Sequence, residues 1–291
     1  MTAQDQPLRT VQVGRQTFFG YLAAIWQYRD MALHLANADL QSRFRRSALG
    51  IIWAMVHPLA FTMLYAFVLA NLFKQEFVVF SIYVFSGFIL WDAIASFVNL
   101  GAVSIVSGAG YLKQSPMPML IFPLRTSLTV MVIFLIGLGS FTIYRAGIYG
   151  LHALGYIESE LPLGPIATIY WAWIPLVALA LVAMGSAWAT IVGFLNLKFR
   201  DAQQMLLIIM QALWFASPVF FAREIFDSPN LAFWTAINPV LAFCDAFREP
   251  VLYARSPDAH TWMVIGGWIV ASWIGAIIMV VLNDRKSIYY L

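Results

Sequence analysis

Three arginines within four positions, Arg43, Arg45 and Arg46, stand immediately ahead of a long apolar run. A guanidinium offers a flat fork of donors that matches phosphate or carboxylate oxygens in pairs. Two chemistries stay open for the trio. It can grip anionic lipid headgroups and so fix the chain's orientation, or it can receive the anionic end of a substrate such as a diphosphate. Asp92, beside Trp91, is the one carboxylate well inside an apolar run. An acid in such a place is a functional candidate by default, because hydrocarbon does not solvate it. No basic or second acidic residue is evident in a neighbouring run, so Asp92 makes a poor proton relay. A hydrogen bond into a helix bundle is the expectation.

The other reactive residue types do not assemble. Gly185-Ser186-Ala187 is a weak echo of a serine nucleophile turn, but no histidine lies deep in another run to activate the serine. The four histidines, His34, His57, His152 and His260, are dispersed and none pairs at metal-ligand spacing. Cys244 is the single cysteine, which excludes an intrachain disulfide and a thiolate metal cluster. No phosphate-binding pattern of Gly, four residues and Gly-Lys-Ser/Thr occurs. The chain is therefore expected to catalyse nothing and to hold no metal or cofactor. If it does work, a separate subunit supplies the energy.

The surroundings of these residues set the class. The chain is 62% hydrophobic and 11% charged, with a mean hydropathy of +0.78; a soluble domain is about half apolar and a quarter charged. Six apolar runs fill it, at 48–73, 78–107, 119–144, 166–195, 202–221 and 261–282. Each reaches the roughly 20 residues that cross a hydrocarbon layer of about 30 Å. Backbone groups in lipid must be satisfied within the segment, so the runs are expected to be helices. A barrel would show alternating stretches of roughly 10 residues instead. The expected fold is an all-α polytopic membrane protein with six transmembrane helices, residues 48–291, after a cytoplasmic part, 1–47. Pro175 lies within the fourth run and is expected to bend it.

Lys and Arg set the orientation. With the N-terminus inside, the inner side holds Arg9, Arg15, Arg29, Arg43, Arg45, Arg46, Lys113, Arg125, Lys198, Arg200, Arg285 and Lys286; the outer side holds Lys74, Arg145, Arg223, Arg248 and Arg255. That bias places both termini in the cytoplasm. It also accounts for the net charge of +3, and no basic cluster suited to nucleic acid remains. No short apolar core with a cleavage site opens the chain, so the first run is expected to act as the insertion signal.

Three stretches are not plain spans. Residues 8–47 mix Phe18, Tyr21, Leu22, Trp26 and Leu33 with Arg15, Arg29, Asp30 and Asp39, as suits an amphipathic helix lying in the inner interface. It is either an anchor or a collar around a site of admission. Residues 110–119 carry Tyr111, Lys113, Pro116 and Pro118, and the two prolines enforce a stiff turn suited to a groove on a partner. Residues 222–260 are too apolar for a solvated loop and too interrupted to span, so two short helices dipping back into the outer leaflet are expected. Aromatic side chains make up 16% of the chain. Phe61, Tyr65, Trp214, Phe215, Phe220 and Phe221 are candidates to line a passage, since sugar rings stack on aromatic faces without a fixed hydroxyl pattern; ordinary packing is the competing reading.

In this order, several short motifs resemble a known family. Arg45-Arg46-Ser47-Ala48-Leu49-Gly50-Ile51-Ile52-Trp53 with Pro58, then Gly87-Phe88-Ile89-Leu90-Trp91, resembles the first two spans of ABC type-2 transport permeases that export polysaccharides. Asn196-Leu197-Lys198-Phe199-Arg200-Asp201, with Gln211, Ser217-Pro218-Val219 and Asn238-Pro239 downstream, is similar to that family's second half. The resemblance implies a bacterial inner-membrane permease that forms a homodimer with two cytoplasmic ABC ATPase subunits, which hold the ATP and magnesium. It implies that Tyr111, Lys113, Pro116 and Pro118 belong to a coupling helix, and that Trp234, Asn238, Pro239, Phe243 and Phe247 belong to periplasmic gate helices. The implied substrates are O-antigen on polyprenyl diphosphate, capsular chains or teichoic acids, with Arg43, Arg45 and Arg46 meeting the diphosphate. A drug or lipid permease would share the fold. A glycosyl- or acyltransferase would need a dense polar site. A gradient-driven carrier would show two related halves.

Overall fold

The computed structural model describes residues 25–45, 47–114, 117–157, 168–199 and 201–283, and no strand forms among them. Arg46, Pro116, the side chain of Lys113 and residues 8–24 lie outside the described residues. The helices are α1 (Arg29–Phe44), α2 (Trp53–Phe73), α3 (Phe77–Ser107), α4 (Ala109–Gln114), α5 (Ile121–Ala153), α6 (Ile174–Lys198), α7 (Ala202–Phe215), α8 (Ala232–Ile237), α9 (Pro239–Leu252) and α10 (Ala259–Asn283).

Five of these stretches are long and apolar enough to cross a membrane: Gly50–Phe73, Phe77–Leu112, Ile121–Ala153, Ile169–Lys198 and Ala259–Asn283. The run at 202–221, expected to be a sixth such helix, divides in two. Its 14-residue α7 rises on the order of 21 Å, short of the hydrocarbon thickness. Ser217 and Pro218 then leave the helical path, because proline brings no N–H to continue the ladder. The fourth run also differs from expectation. Pro175 does not kink a helix there but opens one, at the first turn of α6 behind a short 3-10 turn, Ile169–Trp173. At that position the missing donor would have had no partner anyway.

α3 is the central helix. It packs against α6, α5 and α2, and small residues set how closely. A Cβ on Gly101 would meet the Ala189 backbone at 2.5 Å, and one on Gly185 would meet the Phe97 ring at 2.4 Å. Close backbone approach of this kind is what stabilises helix pairs where lipid offers no hydrophobic drive. Asn196 reinforces it by donating to the Ala102 carbonyl at 2.9 Å. α10 is tied to α6 by indole donors, Trp188 to Ser272 and Trp273 to the Ala183 carbonyl, each at 2.9 Å.

α1 docks on α5. Asp39 forms an ion pair with the buried Arg125 at 2.9 Å, and Ala32, Leu35 and Ala36 are buried. Burial pushes the Asp39 carboxyl above the usual carboxylate range, although Arg125 pulls the other way. Trp26 and Leu33 stay exposed, which fits a helix with an apolar side resting on a membrane surface.

Candidate functional site

α2 carries rings at four-residue steps, so His57, Phe61 and Tyr65 follow one another along one face. Rings from α3 and from the α7 end meet that face. His57 lies 4.7 Å from Phe61, Phe61 lies 5.9 Å from Phe88, and Tyr65 lies 4.7 Å from Phe220 and 5.8 Å from Trp214. Trp214 stacks on Trp91 at 6.1 Å, and Phe73 meets Phe221 at 6.1 Å. These are ordinary separations for aromatic pairs. Of the aromatics expected from the sequence, Phe61, Tyr65, Trp214 and Phe220 form one continuous row, while Phe221 pairs with Phe73 farther along α2. Phe215 touches Trp214 but is 59% exposed, on the outside of the row. His57, Phe88 and Trp91 belong to the row without being among the aromatics expected from the sequence, although the four-residue step back from Phe61 carries the signal for His57. Phe220 is buried, so the row closes as packed rings at that end.

The closure is built on a broken helix. Past α7 the carbonyls of Pro218, Val219 and Phe221 have no helical partner, and polar side chains take them. Arg248, in α9 and almost fully buried, donates to Pro218 O at 2.6 Å and Val219 O at 3.1 Å. The same guanidinium reaches Ser86 Oγ at 3.0 Å, Tyr83 Oη at 2.9 Å and the Tyr83 carbonyl at 3.2 Å. It also sits 3.7 Å over the Tyr83 ring, while Tyr83 Oη donates to Phe221 O at 3.1 Å. Gly87 makes room, since a Cβ there would meet Arg248 and Val219 O at 2.5 Å. In the sequence Arg248 is only one of the outer basic residues. Its partners stand more than a hundred positions away on α3 and 29 to 30 away on the broken stretch, so no local pattern marks it.

α8 and α9 are two short helices, with Asn238-Pro239 at the vertex between them. Asn238 caps α9 by accepting from Val240 N and Leu241 N, and its amide donates to Ala216 O at 3.1 Å and Ser217 Oγ at 3.0 Å. Trp234 donates to the same Ala216 carbonyl at 2.6 Å, and Trp268, well inside α10, donates to Ile237 O at 2.6 Å. Trp234, Asn238 and Pro239 thus seal the α7 break. Phe243 and Phe247 do not line a mouth. Both are fully buried in the apolar core, where the amphipathic pattern of α9 turns them toward α3 and α5. Arg145 on α5, also fully buried, donates to Val251 O at 2.6 Å and holds the other end of α9.

At the opposite end, Arg43 lies in the last turn of α1 and Arg45 follows it, both exposed. Arg43 and His57 are the basic groups whose charge acts on Asp92. Asp92 therefore differs from expectation in two ways. A basic side chain stands in the neighbouring helix, and no hydrogen bond to Asp92 forms among the described residues. The 110–119 segment is also reorganised. Tyr111 projects from α4, while Pro118 is buried together with Met119 and Leu120. Gly108 lets the α3–α4 bend press on the Phe122 ring, which a Cβ would meet at 2.3 Å. The exposed feature among the described side chains is Tyr111, with Pro118 buried. No group of His, Cys, Asp or Glu suited to a metal occurs among the described residues.

Comparison with known proteins gives one answer. The chain is 22% identical over 222 residues to the O-antigen export system permease protein RfbA of Klebsiella pneumoniae, covering 76% of this chain and 79% of that protein. It is 23% identical over 242 residues to the O-antigen export system permease protein RfbA of Myxococcus xanthus, covering 83% and 87%. The family described as ABC-2 type transporter matches residues 32–252, from α1 through the end of α9. That match takes in most of α1 and all of α2 to α9, three quarters of the chain, and the chain belongs to the ABC-2 type transporter family.

Proposed function

We propose that this chain is the permease subunit of an ATP-driven exporter that carries a lipid-linked O-antigen polysaccharide across a bacterial inner membrane. The observation that carries the reading is the row of rings running from His57, near Arg43, to the sealed break after α7. Aromatic faces offer a sliding surface for sugar rings, and the arginines at one end of the row suit a diphosphate. The two relatives named for O-antigen export support the choice of cargo.

In this reading the α1 end is cytoplasmic and both termini lie inside, in line with the basic bias. Arg43, Arg45 and Arg46 receive the diphosphate. Two ATPase subunits bind at α4, and the ATP and magnesium are theirs. α4 passes their motion to α3, the helix on which the rest of the bundle packs. Two copies of this chain enclose the passage, since the row on α2 is half-open in one copy: Phe61 is 40% exposed. Re-entrant α8 and α9 close the periplasmic side.

The test is co-purification in detergent with candidate ATPase subunits, then ATP turnover in lipid with and without polyprenyl diphosphate-linked glycan. A two-plus-two complex whose turnover rises with O-antigen glycan is the expected result. Absence of a complex overturns the coupling role of α4. A response only to capsular or teichoic chains replaces the cargo.

A further inference from the structure

α3 presents two unlike faces. Phe97 and Gly101 press on α6, and the residues of that side are buried. The opposite side meets α2 through Phe88 and α7 through Trp91. Continuing along that second side at helical spacing come Asp92, Ser96 and Asn99, all partly exposed. Asp92 stands at the middle of the 31-residue helix, so the trio lies at hydrocarbon depth. No hydrogen bond or ion pair to these three side chains forms among the described residues, although a carboxylate, a hydroxyl and an amide offer donors and acceptors together.

Polar groups at that depth are costly when they face lipid, and they mark paths for polar cargo. The bundle does not satisfy them. They adjoin the aromatic row, with Trp91 next to Asp92 in sequence and stacked on Trp214. We propose that Asp92, Ser96 and Asn99 form a hydroxyl-binding stripe along the passage, hydrogen-bonding the edges of sugar rings whose faces lie on the neighbouring aromatics. The proposal rests on the glycan-export reading and deepens it. The rings give tolerance of sequence, and the stripe gives a preference among sugars by the hydroxyls it can reach.

The experiment uses the permease with its ATPase subunits in proteoliposomes. Ser96→Cys and Asn99→Cys are probed with a charged methanethiosulfonate reagent, beside Ile274→Cys on the exposed side of α10 as a lipid-facing control. Native Cys244 is fully buried and serves as the unreactive background. The expected result is labelling at 96 and 99 about tenfold or more faster than at 274. Polyprenyl diphosphate-linked glycan should slow that labelling, and polyprenyl diphosphate without sugar should not. Asp92→Asn should raise the glycan concentration for half-maximal ATPase stimulation about tenfold, the loss of one charge-assisted hydrogen bond. Labelling no faster than at 274 overturns the stripe, because the face is then covered by lipid or by a second copy. Labelling that glycan does not slow, or an unchanged half-maximal concentration, also overturns it while leaving the exporter reading standing. A wild-type complex that ignores glycan altogether overturns the exporter reading, and the stripe with it.

Discussion

Arg248 illustrates how a charge becomes structural at hydrophobic depth. It neutralises no carboxylate directly; instead its forked donors hold the carbonyls of Pro218 and Val219 together with Tyr83 and Ser86. A hydrogen bond to a charged group contributes about 1.5–3 kcal/mol, and a buried carbonyl left unmet costs about 1–3 kcal/mol. Lysine keeps the charge but lacks the planar fork. Arg248→Lys is therefore expected to destabilise the detergent-purified protein by about 2 kcal/mol or more, read as a lower thermal midpoint; an unchanged midpoint would remove Arg248 from this role. Little of this was legible in advance. The sequence marks Arg248 only as a basic residue near Pro250, since its partners meet it through the fold. The aromatic row was more legible: Phe61 and Tyr65 declare their shared face by spacing alone, whereas Phe88 and Trp91 become lining only once α3 is placed.

Among the elements, the long runs declared themselves and the short ones did not. Twenty or more apolar residues leave a helix as the sole choice, so α2, α3 and α10 fall near their expected bounds, while α5 runs on past 144 to Ala153 and α6 begins only at Ile174. α7 ends early because Pro218 and the cap at Asn238 compete for the chain, a contest that hydropathy does not register. α4 is another such case. The two prolines suggested a rigid turn, but the turn seats Pro118 inward and leaves Tyr111 as the exposed group. Tyr111→Ala is accordingly expected to cut recovery of the ATPase subunits on permease-bound resin by severalfold at unchanged thermal midpoint. Pro118→Ala should lower the midpoint instead. Equal recovery after Tyr111→Ala would move the coupling contact away from α4.

For the whole molecule, the uneven burial of the spans is informative. The most apolar windows of α2 and α10 are each 17% buried, against 72% for α3 with α4. α2 and α10 thus form the flanks, and the aromatic row opens on the α2 flank. A second copy set against that flank would complete the passage. Phe67→Cys, on the exposed part of α2, is expected to give an oxidative cross-link between two copies in membranes, whereas Ile274→Cys on α10 is not. A cross-link at 274 alone would assign the contact to the other flank. Five of the six expected spans were readable from the sequence, but which flank faces which neighbour depends on small-residue contacts such as Gly101 against Ala189.

The seal around Arg248 also limits how the molecule can move. α9 is buried along most of its length, pinned by Arg145 at one end and Asn238 at the other, and bolted through Arg248 to α3. Swinging it aside would break these bonds and strip the core at once. α9 and α3 therefore behave as a single stiff lever with no hinge between them. Force delivered at α4 would tilt that lever whole, and the far mouth would widen along the seam where one copy meets the next.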